Sequence, residues 1–556
     1  MRKFLLSIIV LILACASSFA GDFIEGDALV IFKAPENQQV TISGLKGNLL
    51  ASVNAAVSSV NANVKNIYEV LSESDNKIYV HIHSDSKTTQ QLIAELLKRD
   101  DVIAASPNKI NKPLATRPND TRYSELWGLE KINCPAAWDY TTGSKDIYIA
   151  VIDSGFYQHE DLMPNIATEY AKSFVDSEPW EYDSFGHGEH IAGTIGAVGN
   201  NNIGVAGVNW NVKIIPLKVY GDDIGMPDDL IVEAINYLIK LLNDNPDMIM
   251  PAVNMSFEAY ADFSPSEAVT QDFTYSAYKA FDNLNRSIMI ISAGNESIPV
   301  GRPAPFDQPK YEWQTMEHDE SPRYTKGQYS YPASFIGLNN IIVVGAIDSS
   351  DKAPEFTSWG ESVDLAAPGC EILSTYTTDA DDSPEGETQP YLSIDGTSMA
   401  APHVTGAIAL LAARFPDATT SQIKRALLNS ANKNINPLIY PYQYKLDIAL
   451  SIIPNLVSRD IARNIISEDK REEEISRRTQ EARDGLKDYE SFDGKYKVSR
   501  YGLLDVYAAM NELESIIAQE NRNRNTPSGS GGCNIFAGIF IFAGMLLLAN
   551  KKLWRS

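Results

Sequence analysis

Hydrophobic residues after about position 120 form short, nearly continuous runs separated by more polar stretches. The run at 146–152 is rich in β-branched residues, which is typical of a strand buried on both faces of a parallel sheet. Shorter runs at 342–346 and 363–367 also indicate sheet strands, and an apolar helix is predicted through 407–411. We therefore predict an α/β domain with a mostly parallel sheet flanked by helices.

The segment before this domain has another pattern, in which strand, helix, strand, strand, helix and strand follow one another. Period-two and helical spacings place five of these six elements, at 28–32, 49–60, 77–82, 88–99 and 102–108. They predict a small α+β domain over about 27–112. This order of elements is common, so the small domain could simply be an accessory domain.

Both ends of the chain carry hydrophobic segments typical of targeting signals. Residues 1–20 combine a basic start, an apolar run and small residues at the end, which predicts a secretory signal peptide cleaved after Ala20. A membrane anchor and a lipoprotein site at Cys15 are the alternatives. Near the other end, Cys533 and an apolar run at 535–549 precede a basic terminus, which indicates a sorting signal or a membrane anchor. The protein is therefore expected to be exported.

Composition narrows the class of partner. The chain has 44% hydrophobic residues, as expected for a globular protein with a large core. Its 47 Lys and Arg against 72 Asp and Glu give a net charge of −25, which argues against nucleic acid or an anionic membrane surface as the main partner. Four cysteines are too few for a disulfide scaffold, and the sequence does not decide whether Cys134 and Cys370 pair.

Three polar side chains stand at the ends of predicted elements. Asp153 ends the buried strand, where α/β sheets gather functional groups, although it could instead cap the next turn. His187 lies between glycines at the start of a small-residue helix, and a metal pair with His190 beside Glu189 is the alternative. Ser398 lies in the first turn of the apolar helix, where unpaired N–H groups stabilise negative charge or where serine acts only as a cap.

Taken together, the sequences around these residues resemble the three catalytic blocks of the subtilisin-like serine proteases. The blocks read Ile-Ala-Val-Ile-Asp-Ser-Gly at 149–155, His-Gly-Glu-His-Ile-Ala-Gly-Thr at 187–194 and Gly-Thr-Ser-Met-Ala-Ala-Pro-His-Val at 396–404. Their order of Asp, His and Ser differs from the order in α/β-hydrolases. The resemblance covers about 27–512. It implies a three-layer subtilisin-like domain that hydrolyses peptide bonds.

The resemblance also implies the role of each catalytic residue. Ser398 would be the nucleophile, His187 the base that takes its proton, and Asp153 the group that orients the imidazole. Asn295, in Ser-Ala-Gly-Asn at 292–295, would join the Ser398 backbone N–H in binding the oxyanion. No cofactor is expected for catalysis.

Two further segments are implied to bind an extended polypeptide substrate. They supply Ser256, Phe257 and Glu258 on one side and Ser292, Ala293 and Gly294 on the other. Glu258 stands where the family usually has Gly, which indicates a narrower pocket or a preference for basic side chains. Glu189 stands where the family usually has Thr, and we expect its carboxylate to lie on the helix surface rather than to act as a second base.

The loop at 199–208 resembles the family's calcium loop, and 159–162 resembles the segment that lends it a carboxylate. Oxygen ligands suit a hard cation such as Ca²⁺. The implied ligands are the side chains of Asp161 and Asn201 and the carbonyls of Gly199, Ile203 and Val205. A plain Asn and Gly turn is the alternative.

The resemblance organises the chain as a zymogen. The predicted parts are a signal peptide at 1–20, an inhibitor-type propeptide at 21–112, a self-cleaved maturation linker at 113–120, a catalytic domain at 121–512, a flexible linker at 513–532 and a sorting signal or membrane anchor at 533–556. Two insertions fall in the catalytic domain, at about 297–330 and 434–497. The first would restrict access to the substrate or be a solvated loop, and the second would be a solvated charged helix or a partner-binding arm.

The sequence favours an exported serine endopeptidase at the cell envelope or released from it, with its own propeptide as an intramolecular inhibitor. Two rival functions remain. A binding protein that retains the fold without activity is motivated by Glu189 and Glu258. An esterase would share the catalytic residues but not the propeptide or the substrate-pairing strand.

Overall fold

The computed structural model describes residues 23–35, 39–109, 116–305, 307–308, 323–335, 337–376, 390–462 and 465–525. The chain divides into two compact units, Met1–Leu114 and Ala115–Ser556. The predicted signal peptide and the tail at 533–556 lie outside the described residues. Among the helices that are described, none has the length and apolar character needed to cross a bilayer.

The first unit has the predicted α+β pattern. Its elements are β1 (Phe23–Lys33), α1 (Ile42–Leu45), α2 (Asn48–Ser58), β2 (Asn63–Ile67), α3 (Glu69–Asp75), β3 (Lys77–His83), α4 (Thr89–Leu96) and β4 (Val102–Lys109). The strands form an antiparallel sheet in the order β2, β3, β1, β4. Alternating strand residues such as Val30, Val80 and Ile82 bury their side chains against helix residues such as Leu92 and Leu96. The unit therefore has a hydrophobic core of its own.

The second unit begins with two short helices and a long strand. Its first elements are α5 (Trp127–Lys131), α6 (Cys134–Trp138), β5 (Gly143–Asp153), β6 (Lys172–Ser173), α7 (His187–Gly196), β7 (Asn211–Lys218), α8 (Asp228–Asp244), β8 (Ile249–Met255), β9 (Ala259–Ala261), α9 (Pro265–Gln271), α10 (Phe273–Asp282) and β10 (Ile288–Ser292). The elements that follow are β11 (Tyr329–Tyr331), β12 (Ile341–Ile347), β13 (Leu365–Pro368), β14 (Ile372–Thr375), β15 (Tyr391–Ile394), α11 (Thr397–Arg414), α12 (Thr420–Ser430), α13 (Pro441–Ala462), α14 (Arg471–Leu486), β16 (Gly502–Leu503) and α15 (Val506–Asn525).

Eight of these strands form a parallel sheet in the order β16, β13, β12, β10, β8, β5, β7, β6. Residues of α7, α11 and α15 share one hydrophobic cluster with one face of the sheet, and residues of α8 and α10 share another cluster with the opposite face. The predicted α/β class is confirmed, with a three-layer arrangement and a wholly parallel central sheet. The central strands are nearly continuous hydrophobic runs because helices cover both faces of this sheet.

Register brings the ends of three neighbouring strands to one level. Met255 of β8 lies opposite Ile152 of β5 on one side and Ile291 of β10 on the other. The residues that follow them in the chain, Asp153, Ser256 and Ser292, therefore lie at the same edge of the sheet.

Two parts of the expected organisation differ from the structure. The flexible linker predicted from 513 is helical as far as Asn525, because Leu513 and Ile516 are buried against the core. Residues 116–120 of the expected exposed linker belong to the second unit, where Thr116 donates to Asp139 and the Asp120 side chain is buried. The rest of that linker, 110–115, lies outside the described residues.

Cys134 and Cys370 are free thiols.

Candidate active site

Asp153 and His187 form the best-defined part of the site. His187 Nδ1 lies 2.7 Å from Asp153 Oδ1, and the Asp153 side chain is almost wholly buried. The Ser154 backbone N–H and hydroxyl donate to the same carboxylate oxygen at 2.8 and 3.2 Å. Burial alone lowers the pKa of His187, but the charge of Asp153 and the hydrogen bond to it outweigh burial, so that this pKa is raised above its ordinary value. The arrangement holds an imidazole ready to accept a proton.

Close packing between α7 and β5 makes this contact possible. A Cβ atom added to Gly188 would lie 2.4 Å from the Gly155 carbonyl oxygen and 3.2 Å from Asp153 Cβ. Only glycine therefore allows the first turn of α7 to approach the strand end so closely. On its other side, the His187 ring stacks on Phe185, with ring centroids 5.6 Å apart.

Ser398 lies in the first turn of α11, at the same edge of the sheet, and is largely buried. Its hydroxyl donates to the Ser256 carbonyl oxygen at 3.4 Å, and the Ser256 hydroxyl donates back to the Ser398 carbonyl oxygen at 3.4 Å. A hydrogen bond from Ser398 to His187 stays a prediction. Hydrogen bonds between catalytic groups are often long without substrate and shorten when substrate binds.

Asn295 is fixed through its side-chain oxygen. The Thr397 backbone N–H and hydroxyl both donate to Asn295 Oδ1 at 2.9 Å, and the Gly294 N–H donates to the Thr397 hydroxyl at 3.1 Å. Since Oδ1 faces Thr397, the amide nitrogen of Asn295 is left to donate in another direction. The structure thus brings the segment at 292–295 beside the start of α11, as the sequence predicted.

The two segments predicted to bind substrate flank Ser398. Ser256 follows β8, Ser292 ends β10, and Ala293 and Gly294 continue to Asn295. The Glu258 carboxylate lies between these segments, where Oε1 accepts from the Asn295 N–H at 3.4 Å and Oε2 accepts from the Ser330 hydroxyl at 3.2 Å. Phe257 is half-buried and lines an apolar cavity of about 370 Å³ together with Phe263, Phe273 and Tyr331.

Glu189 contradicts the expectation of a carboxylate on the helix surface. Its side chain is fully buried, Oε2 accepts from the Tyr157 N–H at 3.0 Å, and Oε1 has no hydrogen-bond partner among the described residues. Burial, with the nearby charge of Asp183, raises the pKa of Glu189 to about 8. The expectation failed because α7 has no exposed face after its first residue: every residue from Gly188 to Gly196 is buried.

Asp183 was not assigned a role from the sequence. Its carboxylate accepts from the Gly186 N–H at 2.9 Å and the Glu189 N–H at 3.2 Å, so it caps the start of α7. Burial raises its pKa to about 6, and the negative charge of Asp153 acts in the same direction. The sequence carried one usable signal, an acidic residue shortly before a helix, which is common at helix starts.

The metal alternative for His187 and His190 needs further ligands, and the described residues include no group of three or more His, Cys, Asp or Glu side chains placed to hold a metal. His190 Nε2 instead lies 2.9 Å from the Ile372 carbonyl oxygen and 3.1 Å from that of Leu392. Burial lowers the pKa of His190 to about 3. It is a buried structural histidine.

The residues of the predicted cation loop lie together. Asp161 accepts from the Asn201 side-chain amide at 2.7 Å and from the Val205 N–H at 2.9 Å, and the Asn201 amide oxygen accepts from the Ile203 N–H at 2.8 Å. Burial raises the pKa of Asp161 to about 6, and the negative charge of Asp120 adds to the shift. Asp120, which the sequence did not assign, accepts from the Asn200 N–H at 2.6 Å and has one buried oxygen without a hydrogen-bond partner among the described residues.

Two buried carboxylates beside a loop of polar backbone have the chemistry of a hard-cation site, because a divalent cation would offset their mutual repulsion. One feature requires rearrangement. The Asn201 amide presents its nitrogen to Asp161, so its amide would have to rotate to present its oxygen to a cation. With that rotation, the residues present fit the predicted group.

Both insertions contact the site region. In the first, Arg323 pairs with Glu296 at 3.1 Å, and Ala304 and Tyr324 are buried. In the second, the buried Lys445 of α13 donates to the Glu296 carbonyl oxygen at 3.0 Å. The charged helix predicted near 467–487 is present as α14. The second insertion is therefore a helical hairpin fastened to the segment next to Asn295, and is more than a solvated helix.

Comparison with known proteins agrees with this geometry. The model of the subtilase family of peptidases (Peptidase_S8) matches residues 144–452, which is more than half of the chain. The chain therefore belongs to the subtilase family, and it is a subtilisin-like serine endopeptidase.

Among its relatives, an alkaline protease of Alkalihalobacillus alcalophilus is 29% identical over 363 residues, covering 65% of this chain and 79% of the relative. Subtilisin BL of Lederbergia lenta is 31% identical over 305 residues, covering 55% of this chain and 90% of the relative. An extracellular protease of Xanthomonas campestris pv. campestris is 29% identical over 382 residues, covering 61% of this chain and 57% of the relative. A solved protease structure from Pseudoalteromonas arctica PAMC 21717 is 25% identical, and the match covers 57% of this chain and 93% of the solved chain, with a TM-score of 0.44. The fold assignment therefore rests on the parallel sheet and the family match.

Proposed function

We propose that this endopeptidase cleaves polypeptides with Ser398 as nucleophile, His187 as general base and Asp153 as the group that orients the imidazole. The hydrogen bond of 2.7 Å between His187 Nδ1 and Asp153 carries the proposal. Because Nδ1 is the donor of that bond, Nε2 is left without a proton and can take one from a hydroxyl. Asp153 then stabilises the imidazolium that forms.

The reaction follows from these roles. His187 takes the proton of Ser398 as its Oγ bonds to the substrate carbonyl carbon, and the carbonyl oxygen becomes negative. His187 next gives this proton to the leaving amine as the peptide bond breaks. Water, activated by the same imidazole, then releases the acyl group from Ser398.

The oxyanion would be held by the Asn295 side-chain nitrogen and the Ser398 backbone N–H. The two hydrogen bonds from Thr397 to Asn295 Oδ1 support this role, because they orient the amide before substrate arrives. Such fixed donors stabilise charge that develops in the transition state without reorganising. The Ser256, Phe257 and Glu258 segment and the Ser292, Ala293 and Gly294 segment would bind the substrate on either side of Ser398.

We further propose that the chain is made as a zymogen and exported. The first unit would act as the intramolecular inhibitor, and cleavage would fall near 110–115. The burial of Asp120 and the Thr116 contacts with Asp139 support a cut before residue 116. One relative named as an extracellular protease supports export, and the tail at 533–556 would direct the protein to the cell envelope.

A structural Ca²⁺ is proposed at the loop of 199–205. Asp161, the rotated side chain of Asn201 and the carbonyls of Gly199, Ile203 and Val205 would hold it, with Asp120 as a further carboxylate. The ion would supply only positive charge to offset the two carboxylates. No catalytic step depends on it.

The proposal is tested by comparing the full-length chain with its Ser398→Ala variant. The wild type should react with a fluorophosphonate probe, hydrolyse casein and be cut between 110 and 116, whereas Ser398→Ala should lose labelling and proteolysis and stay uncut when purified alone. Ser421→Ala removes an exposed serine and should behave as the wild type. A wild type that folds but binds no probe would instead indicate a binding protein, and linker cleavage in Ser398→Ala would exclude self-processing.

A further inference from the structure

The position of Ser398 limits where the side chain of the attacked substrate residue can lie. Ser398 exchanges hydrogen bonds with Ser256 at the end of β8, and its neighbour Thr397 is bound to Asn295 beyond the end of β10. A substrate carbonyl that reaches the Ser398 hydroxyl must therefore lie between these two strand ends. The side chain on that same residue would enter the space between 256–258 and 293–295.

The carboxylate of Glu258 already lies in this space. A Cβ atom added to Gly294 would be only 2.2 Å from Glu258 Oε2, so the carboxylate is in contact with the Gly294 backbone. Gly294 also has φ of +100°, which favours glycine independently. The second carboxylate oxygen accepts from the N–H of Asn295, the residue proposed to bind the oxyanion. Glu258 thus lies next to the place where bond cleavage would occur.

This carboxylate lacks a positive partner. Across the described ranges, no Lys or Arg nitrogen comes within 4.0 Å of Glu258, whereas the neighbouring Glu296 has Arg323 at 3.1 Å. The hydrogen bonds that Glu258 accepts from Ser330 and Asn295 are 3.2 and 3.4 Å long, longer than those usual for a carboxylate, and the neutral Tyr260 hydroxyl also interacts with it. Burial raises the pKa of Glu258 to about 7, and the charge of Glu296 adds to this effect. Glu258 is therefore poorly compensated in the protein alone.

We propose that Glu258 determines specificity by pairing with the cationic side chain of a Lys or Arg whose carbonyl is attacked by Ser398. This inference rests on the proposed catalytic role of Ser398. It explains why an ionisable group occupies the space, since a neutral side chain of similar size would narrow the pocket without the cost of burying a charge. A substrate cation would supply the partner that the described residues do not.

The test uses the matured protein and peptides that differ only in the residue before the cut, which is Arg, Lys, citrulline, Leu or Ala. Citrulline has nearly the shape of Arg but no charge. We expect kcat/KM for Arg to exceed that for citrulline by about 100-fold, because removing one member of a buried charge pair is costly. In Glu258→Gln this ratio should fall below about 10. Glu361→Gln, at an exposed glutamate that is not among the groups shifting the pKa of Glu258, is the control and should keep the wild-type ratio.

Each outcome separates the inference from the proposed function. Labelling of Ser398 by a fluorophosphonate, measured for every variant, reports whether the catalytic residues work. Normal labelling with equal rates for Arg and citrulline, or with Ala as the preferred residue, would overturn the role of Glu258 and leave the catalytic proposal intact. An unlabelled wild type would overturn both. A ratio that stays high in Glu258→Gln would assign the preference to another group and reject this one.

Discussion

At the scale of single residues, the site was predictable where chemistry alone restricts the choice of side chain. Asp153 and His187 meet as expected, and Asn295 lies beside the residue that precedes Ser398. Glu189 was not predictable, since a carboxylate in the first turn of a helix is usually exposed and favourable there. Its environment was decided by β14 and the loop near Tyr157, which cover α7 from outside.

The burial of Glu189 predicts a pH-dependent change in stability. Its pKa is about 8 in the folded protein against an ordinary value of 4.5, so the folded state holds this proton more tightly than the unfolded chain does. The resulting stabilisation is full below about pH 4.5 and is lost as the pH rises through 8. Glu189→Gln, which stays neutral, should therefore be more stable than the wild type at pH 9, by roughly 1–3 kcal/mol.

Thermal unfolding in the Ser398→Ala background measures this difference without self-digestion. The two proteins should unfold at similar temperatures at pH 4.5 and diverge as the pH rises to 9. Glu361→Gln, at an exposed glutamate, should show no such divergence. A difference between Glu189→Gln and its parent that is the same at both pH values would show that the ionisation of Glu189 does not control stability.

At the scale of elements, hydrophobic patterns located most strands and helices. The run at 146–152 became β5, the run at 342–346 became β12 and the stretch at 407–411 lies inside α11. The second insertion was predictable only in part. The charged half of the insertion forms α14, as its composition predicted. Ala449, Ile453 and Val457 of α13 pack against Ala482 of α14. This pairing of the two helices could not be inferred from the sequence of either helix alone.

The hairpin of α13 and α14 is expected to support the catalytic segment through Lys445. Lys445→Met keeps an apolar side chain of similar length but cannot donate to the Glu296 carbonyl oxygen. Because Asn295 is the preceding residue, we expect kcat on casein to fall several-fold and the unfolding free energy to fall by roughly 1–3 kcal/mol. Steady-state kinetics and thermal unfolding measure the two effects.

Lys470→Met serves as the matched control, because Lys470 is exposed in the same insertion. It should leave both quantities unchanged. If Lys445→Met behaved in the same way, the hairpin would have no part in holding the segment at 295–296.

At the scale of the whole molecule, the chain consists of two units with separate cores, and the role of the first unit as a propeptide stays a prediction. The boundary fell within the polar stretch that the sequence marked as a linker. What the sequence did not reveal is that residues 119–122 bind the loop at 200–204, through contacts of Asn119, Asp120 and Arg122. The start of the second unit thus supports the proposed cation loop.

This arrangement predicts that removing Ca²⁺ destabilises the second unit as a whole. A chelator should lower the unfolding temperature of the Ser398→Ala protein, and excess Ca²⁺ should restore it, since an ion at 100 times its dissociation constant stabilises by about 2.7 kcal/mol. Asp161→Asn and Asp120→Asn should each weaken the response. Asp223→Asn, at an exposed position, should respond as its parent does. If neither the chelator nor added Ca²⁺ changed the unfolding temperature, the loop would be a plain turn and not a Ca²⁺ site.

The sequence by itself determined the α/β class, the positions of the main strands and the three polar residues at element ends, because buried strands and tight turns tolerate few side chains. Tertiary structure alone decided the burial of Glu189, the contact of Glu258 with Gly294 and the link from Lys445 to Glu296. Each of these depends on segments far apart in the chain, whose packing sets the local solvation and charge. The order of hydrophobic and polar residues along an element indicates which of its faces is apolar, but it does not indicate which distant segment packs on its polar face.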